Sequence, residues 1–157
     1  MPTPHNYETC VVLAKEILQP ELGLDEDHCN IYNQKSRIPP DDGLFVVVSI
    51  IGSFPFGVTS RWVNAPNSNE LVEEQGLNVT EMLQVDIFSS SPAARQRAHE
   101  VIFALNSNRA QQISDKYQFS IGRLPTSFND ISFLEASARL NRYALAFNIT
   151  RGYTKTA

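Results

Sequence analysis

Between Val79 and Leu105 an alternating strand passes through a proline-marked cap straight into an amphipathic helix, and any fold must accommodate that junction. In Leu83-Gln84-Val85-Asp86-Ile87 apolar and polar side chains change at every step, the period of a half-buried strand. Ser89-Ser90-Ser91 follows, then Pro92, whose fixed φ and missing N–H suit the first helical position, with Ser91 placed to accept an orphan backbone N–H. Ala94, Ala98, Val101, Ile102 and Leu105 then recur at helical spacing, with Arg95, Arg97 and Glu100 between them. A one-sided strand and a one-sided helix must bury those sides against other elements, which predicts an α+β domain.

The flanking elements follow from the same patterns. Tyr7, Cys10, Val11, Ala14, Ile17 and Leu18 share one face, so a helix is expected over 7–18, with Pro20 helping to end it. A short strand is expected near Asn30 to Gln34, and Pro39-Pro40-Asp41-Asp42-Gly43 marks a turn. Leu44 to Ile51 is continuously apolar and β-branched, as in a central strand covered on both faces. Gly52-Ser53-Phe54-Pro55-Phe56-Gly57 is expected to break it, with Val58 to Val63 continuing or pairing with it. The polar stretch 64–78 then reads as an extended loop or hairpin tip carrying Glu70, Glu73 and Glu74, too long to serve as a mere connection. Ser107 caps a third helix over Ala110 to Tyr117, a strand covers Phe119 to Ile121, and a closing strand runs over 138–150. The sheet, mixed or antiparallel, is therefore built from 44–51, 79–89 and 138–150 and packs on the two amphipathic helices, with Leu83, Val85, Ile102, Leu105, Tyr143 and Phe147 in the core.

A chain of 157 residues fits a single domain, 1–157, that buries roughly two-thirds of its unfolded surface. Cys10 and Cys29 sit in dissimilar contexts and are expected to be reduced structural thiols. No apolar run reaches membrane-span length, and the N-terminus lacks a basic and hydrophobic export signal, so synthesis in the cytoplasm is expected. The net charge of −4 is unevenly spread: residues 1–86 carry 13 acidic and 4 basic side chains, residues 87–157 carry 4 acidic and 9 basic. Two accounts fit, chance scatter over a globular surface or complementary surfaces that meet between copies. On the second account Glu70, Glu73 and Glu74 of one copy meet Arg95, Arg97, Arg139 or Arg142 of the next, the other possibility being a freely solvated loop.

A search for chemistry finds little. His5, His28 and His99 lack metal-ligand spacing, and no metal or cofactor is expected. His28 and Cys29 are adjacent, so in a strand they point to opposite faces and make no thiolate–imidazole pair. Asp41-Asp42 and Glu73-Glu74 lie in polar sequence that would not raise a carboxyl pKa. The Gly52 to Gly57 segment has neither phosphate-loop nor dinucleotide spacing. Arg139, Arg142 and Arg151 accompany Tyr143, Phe147 and Tyr153 in the way of a single-strand binder, but Tyr143 and Phe147 share an alternating face with Leu145 and Ile149, which is a core face. Trp62 serves either packing within the domain or anchoring between subunits.

In the Tyr7 to Leu18 helix, Ile38-Pro39-Pro40 before the buried strand, the Met82 to Phe88 strand entering the Pro92 helix, and the closing strand with Arg142-Tyr143, the chain resembles the tail-terminator and neck-completion proteins of tailed bacteriophages. The resemblance covers most of the chain. It implies a non-enzymatic structural virion protein whose copies form a homo-oligomeric ring, commonly of six, at the head-proximal end of the tail. Such a ring ends the tail tube, joins it to the head–tail connector and lets genomic DNA pass without sequence-specific binding, with no membrane involved. The neighbouring readings are a head-completion adaptor or minor tail protein and, in other classes, a small enzyme without recognisable motifs or a small nucleic-acid-binding module.

Overall fold

The computed structural model describes residues 9–31, 43–125, 128–130, 133–135 and 138–156, and over 129–130, 133–135, 138–140 and 156 it describes the backbone alone. Along them run α1 (Cys10–Leu22), β1 (Cys29–Ile31), β2 (Phe45–Asn64), β3 (Leu71–Ser89), α2 (Ala93–Arg97), α3 (His99–Leu105), α4 (Asn108–Tyr117), β4 (Phe119–Ile121), β5 (Asn129–Asp130), β6 (Phe133–Glu135) and β7 (Ala138–Thr156). The strands form one mixed sheet of order β1-β2-β3-β7-β4, with β5 and β6 also on β7. β1 runs parallel to β2 and every other pair is antiparallel. The fold is α+β, as expected.

Cys10, Leu13, Ala14, Ile17, Leu18 and Leu22 line one side of α1 and are all buried. They share a core with Val46 and Val48 of β2, Leu83, Val85 and Ile87 of β3, and Leu145, Phe147 and Ile149 of β7. Val101, Ala104, Leu105 and Ala110 close it from the other helices. Each fully buried Leu or Ile contributes about 1.5–3 kcal/mol, so this single helix–sheet interface dominates the stability. Of the residues expected inside, Leu83, Val85, Leu105 and Phe147 are buried, whereas Ile102 and Tyr143 are only partly covered at its margin.

Several boundaries differ from expectation, each for a local reason. The expected start of the first helix at Tyr7 lies outside the described residues. Its end lies four residues later than Leu18, because Pro20 sits inside the last turn rather than ending it. A proline there forfeits one i→i−4 bond, and burial of Leu22 offsets that loss. The stop is Gly23, at φ +67°, whose N–H reaches Pro20 O at 3.2 Å while Leu24 N–H reaches Gln19 O at 2.9 Å, satisfying the last carbonyls. At the strand-to-helix junction Ser91 Oγ accepts the Ala93 N–H, as expected, and Ser89 Oγ accepts that of Ala94 at 2.8 Å. The helix expected over 92–105 is two pieces, α2 and α3, because Val101 N–H bonds Ala98 O three residues back and tightens the ladder; Ala98 keeps helical dihedrals. Ser107 caps α4 through the Ala110 N–H at 3.2 Å, and β4 falls where expected. The short strand expected at 30–34 is described as Cys29–Ile31, and 32–34 lie outside the described residues.

The largest difference is the hairpin. β2 and β3 run 20 and 19 residues and pair almost end to end, from Phe45 opposite Phe88 to Asn64 opposite Leu71. Gly52 to Gly57 does not break β2. Register shifts at Ile50/Gly52 and Phe56/Thr59 absorb the irregular residues as bulges, and Gly57, at φ +61°, takes the left-handed conformation that glycine adopts without penalty. Of the 64–78 excursion, 64 and 71–78 are strand, so Glu73 and Glu74 sit in β3 rather than in a loop. The closing strand runs to Thr156, past the expected Thr150, since Gly152 to Thr156 stay paired with Asn78 to Glu74. Val48 and Val79 are the last buried residues on β2 and β3 toward the tip. At about 3.3 Å per residue, Leu71 lies about 25 Å beyond Val79.

Candidate interaction surface

The projecting part of the sheet carries most of the exposed large apolar side chains among the described residues. Ile50, Ile51, Phe54, Phe56, Val58, Trp62 and Leu71 are each between 46 and 78 % exposed. Among the described residues no helix covers either face of this segment. Strand pairing alone orders it, with β7 backing β3 as far as Glu74. A sheet segment without a packed face is marginal in water, and a large exposed apolar patch marks an interaction site. The register puts Phe54 and Phe56, opposite Thr80 and Asn78, on one face and Trp62 and Leu71 on the other, so the projection offers apolar side chains on both faces.

Polar groups on the hairpin are largely committed to each other. Ser60 Oγ donates to Glu73 at 2.7 Å, and Arg61 meets Glu74 at 2.6 Å through Nη2 and 2.8 Å through Nε. The Ser60 hydrogen bond, helped by one from Gln75, holds the Glu73 carboxyl below the usual carboxylate range. Thr80 and Thr150 hydroxyls bond across β3 and β7 at 3.1 Å. A shallow trough beside them is lined by Thr59, Arg61, Glu74, Asn78 and Tyr153, but its two charges already neutralise one another.

The expected interface residues divide cleanly. Trp62 is 68 % exposed, which overturns packing within the domain. Glu73 and Glu74 are engaged within the hairpin, while Glu70 lies exposed in the connection between the strands. Arg97 is held in the body by Glu100 and by Leu22 O, the latter at 2.7 Å, and Arg142 pairs with Asp86 at 3.5 Å. Arg95 stays exposed on α2. Arg139 is placed only by its backbone, opposite Leu134 in β6, and its side chain lies outside what is described. Among the described side chains the candidates for charge pairing between copies thus narrow to Glu70 and Arg95, with Arg139 outside them.

Phe103 was not anticipated. It is 69 % exposed on α3, its ring edge-on to His99 at 5.6 Å between centroids. The signal was present in the sequence, since Phe103 falls outside the Ala94, Ala98, Val101, Ile102, Leu105 stripe and an aromatic on the polar side of an amphipathic helix calls for a partner. Leu71, between Glu70 and Glu73, is the same kind of outlier.

Elsewhere the reactive side chains are sequestered. Cys10 and Cys29 are free and fully buried. Burial pushes the Cys10 thiol up to about 12, with Glu81 beside it adding to the rise and Arg151 opposing it; burial pushes Cys29 to about 11. His28 bonds Asp25 and stacks on Phe45, 4.7 Å between ring centroids. Phe147 is buried and Tyr143 packs at the core margin, so neither presents a face for base stacking. Among the described residues no three His, Cys, Asp or Glu side chains group closely enough to hold a metal ion, and no helix is long and apolar enough to cross a membrane. No protein-family model matches the chain, and no curated protein matches it either.

Proposed function

We propose that the chain is a structural virion protein of a tailed bacteriophage, forming a homo-oligomeric ring at the head-proximal end of the tail that terminates the tube and joins it to the head connector. The observation that supports this reading is the hairpin: a compact helix-covered body with an apolar, three-stranded projection reaching about 25 Å beyond its core is the shape of a subunit completed by its neighbours. Heterologous contacts of that kind close into rings when the rotation between copies permits. The concentration of acidic residues before position 87 and basic residues after it supplies surfaces of opposite sign for such contacts. The resemblance in the order of elements adds the location, between tube and connector, and six copies. In that role the chain acts mechanically, sealing a junction around an axial channel for DNA. Locating the chain in an averaged reconstruction of the intact virion tests the reading: a closed ring of copies between tube and connector is expected, and its absence there overturns the proposal.

A further inference from the structure

Two uncovered apolar patches lie far apart on the molecule and carry opposite charge. At the hairpin tip, Trp62 pairs with Glu73 and Asn64 with Leu71, so Trp62 and Leu71 stand at alternate positions on the same face, 68 and 63 % exposed, with Glu70 in the adjoining turn. On the helix layer, Arg95, His99 and Phe103 recur at i, i+4 and i+8 along α2 and α3 and are all exposed. Among the described ion pairs none engages Glu70 or Arg95. Between Arg61 and Arg95 the sequence contains five carboxylates and no Lys or Arg. From Arg95 onward nine basic side chains face four acidic ones. The two patches cannot meet within one copy, because α2 follows Ser89 at the base of β3 while the tip lies beyond Val79 in the opposite direction.

We propose that the hairpin tip of one copy docks on the α2–α3 stripe of a second copy, Trp62 and Leu71 covering Phe103, and Glu70 facing Arg95. The two patches differ, so the contact is head-to-tail, the kind that propagates into a ring. The choice of a second copy as occupant rests on the ring reading above and on the charge complementarity of the patches. An aromatic side chain buries about 150–250 Å², so two aromatics and a leucine fall short of the roughly 800 Å² per partner of a stable interface. The contact is therefore an anchor within a larger assembly and calls for covalent capture.

Leu71→Cys and Phe103→Cys, combined in one chain and oxidised at high protein concentration, test the contact. The expected product is a ladder of disulfide-linked dimers and higher oligomers, with neither single variant giving one. Cys10 and Cys29 stay silent because both are buried with thiols raised to about 12 and 11. Added to the double-cysteine chain, Glu70→Arg or Arg95→Glu alone lowers the yield several-fold, and the two together restore it. No ladder, equal dimer formation by a single-cysteine variant, or indifference to the charge reversals overturns the proposal. The virion reconstruction separates the two readings: a ring without the ladder discards this contact and keeps the ring, whereas a ladder without a ring in the virion discards the tail role and keeps the contact.

Discussion

The two halves of the β2–β3 hairpin share strands, register and sheet, yet opposite forces hold them. In the near half Val46, Val48, Leu83, Val85 and Ile87 are fully buried in one cluster with the apolar side chains of α1 and α3. In the far half Phe54, Phe56, Val58, Trp62 and Leu71 are as apolar and each about half exposed or more. The near half is ordered by removal of hydrocarbon from water, the far half by backbone pairing and cross-strand contacts such as Ser60–Glu73 and Arg61–Glu74. The difference teaches that apolar content alone does not locate a core. Where helices run out, the same residue types become a surface awaiting cover.

The sharpest way to break that contrast is to place the same charge once in the core that covers the near half, on α3, and once in the far half. Val101→Asp, at a fully buried site, is expected to abolish soluble folding, because an unpaired core charge costs several kcal/mol. Val58→Asp, at 78 % exposure, is expected to change stability by no more than about 0.5 kcal/mol. Soluble yield and thermal melting of the two variants decide it, and equal damage would mean that the far half is packed after all. One step smaller, Ile17→Ala is expected to cost about 2–5 kcal/mol in chemical denaturation, against about 0.5 kcal/mol or less for Trp62→Ala in the isolated subunit.

That contrast also explains what the sequence revealed. The near half was legible because burial imposes a period: α1 repeats its apolar face, Leu83 to Ile87 alternates, and Ser107 caps α4 as its position indicates. The far half was illegible because no helix among the described residues covers it, so no alternation is imposed on 71–78. The two bulges also flip side-chain parity within β2, and Gly52, Pro55 and Gly57 imitate a break. Of the candidate interaction surface, Trp62, Glu70 and Arg95 were named from the sequence as possible contacts. The engagement of Arg97 with Leu22 O depends on contacts 75 residues apart that no local pattern carries.

Truncation sharpens the comparison further. Ser60 and Gln75 are register partners, so replacing 61–74 by Asn-Gly closes a shorter hairpin with a two-residue turn of the favoured type. The core cluster is untouched by this change, and the body is expected to melt within a few degrees of the full chain while assembly is lost. Infectious, DNA-filled particles made with the shortened chain would remove any assembly role for the tip. The thiols offer a smaller and purely local readout. At pH 8, groups with pKa values of about 12 and 11 are almost wholly protonated, so neither Cys10 nor Cys29 is expected to react with a disulfide reagent until the body unfolds, when both should.

The smallest expected effect concerns Glu73 at the tip. Its carboxyl titrates below the ordinary 4.5, chiefly because Ser60 donates a hydrogen bond to the ionised form. A carboxyl with a depressed folded-state pKa contributes stability that is complete above the unfolded value and fades as pH falls through the folded one. The Ser60–Glu73 link is therefore intact at neutral pH and weakens below about pH 4.5. Trp62 is the chain's single tryptophan and lies directly opposite Glu73 in the register, so its emission reports this corner without labelling. Acid titration of the native protein is expected to shift Trp62 emission in that window while near-UV signals from the body hold, and Ser60→Ala should move the midpoint upward toward 4.5. The site is exposed, so solvent screens the interaction and global melting should not register the change. An emission profile that Ser60→Ala leaves unmoved would show that the tip is held by its backbone ladder alone, which would narrow what distinguishes the two halves of the hairpin to burial by itself.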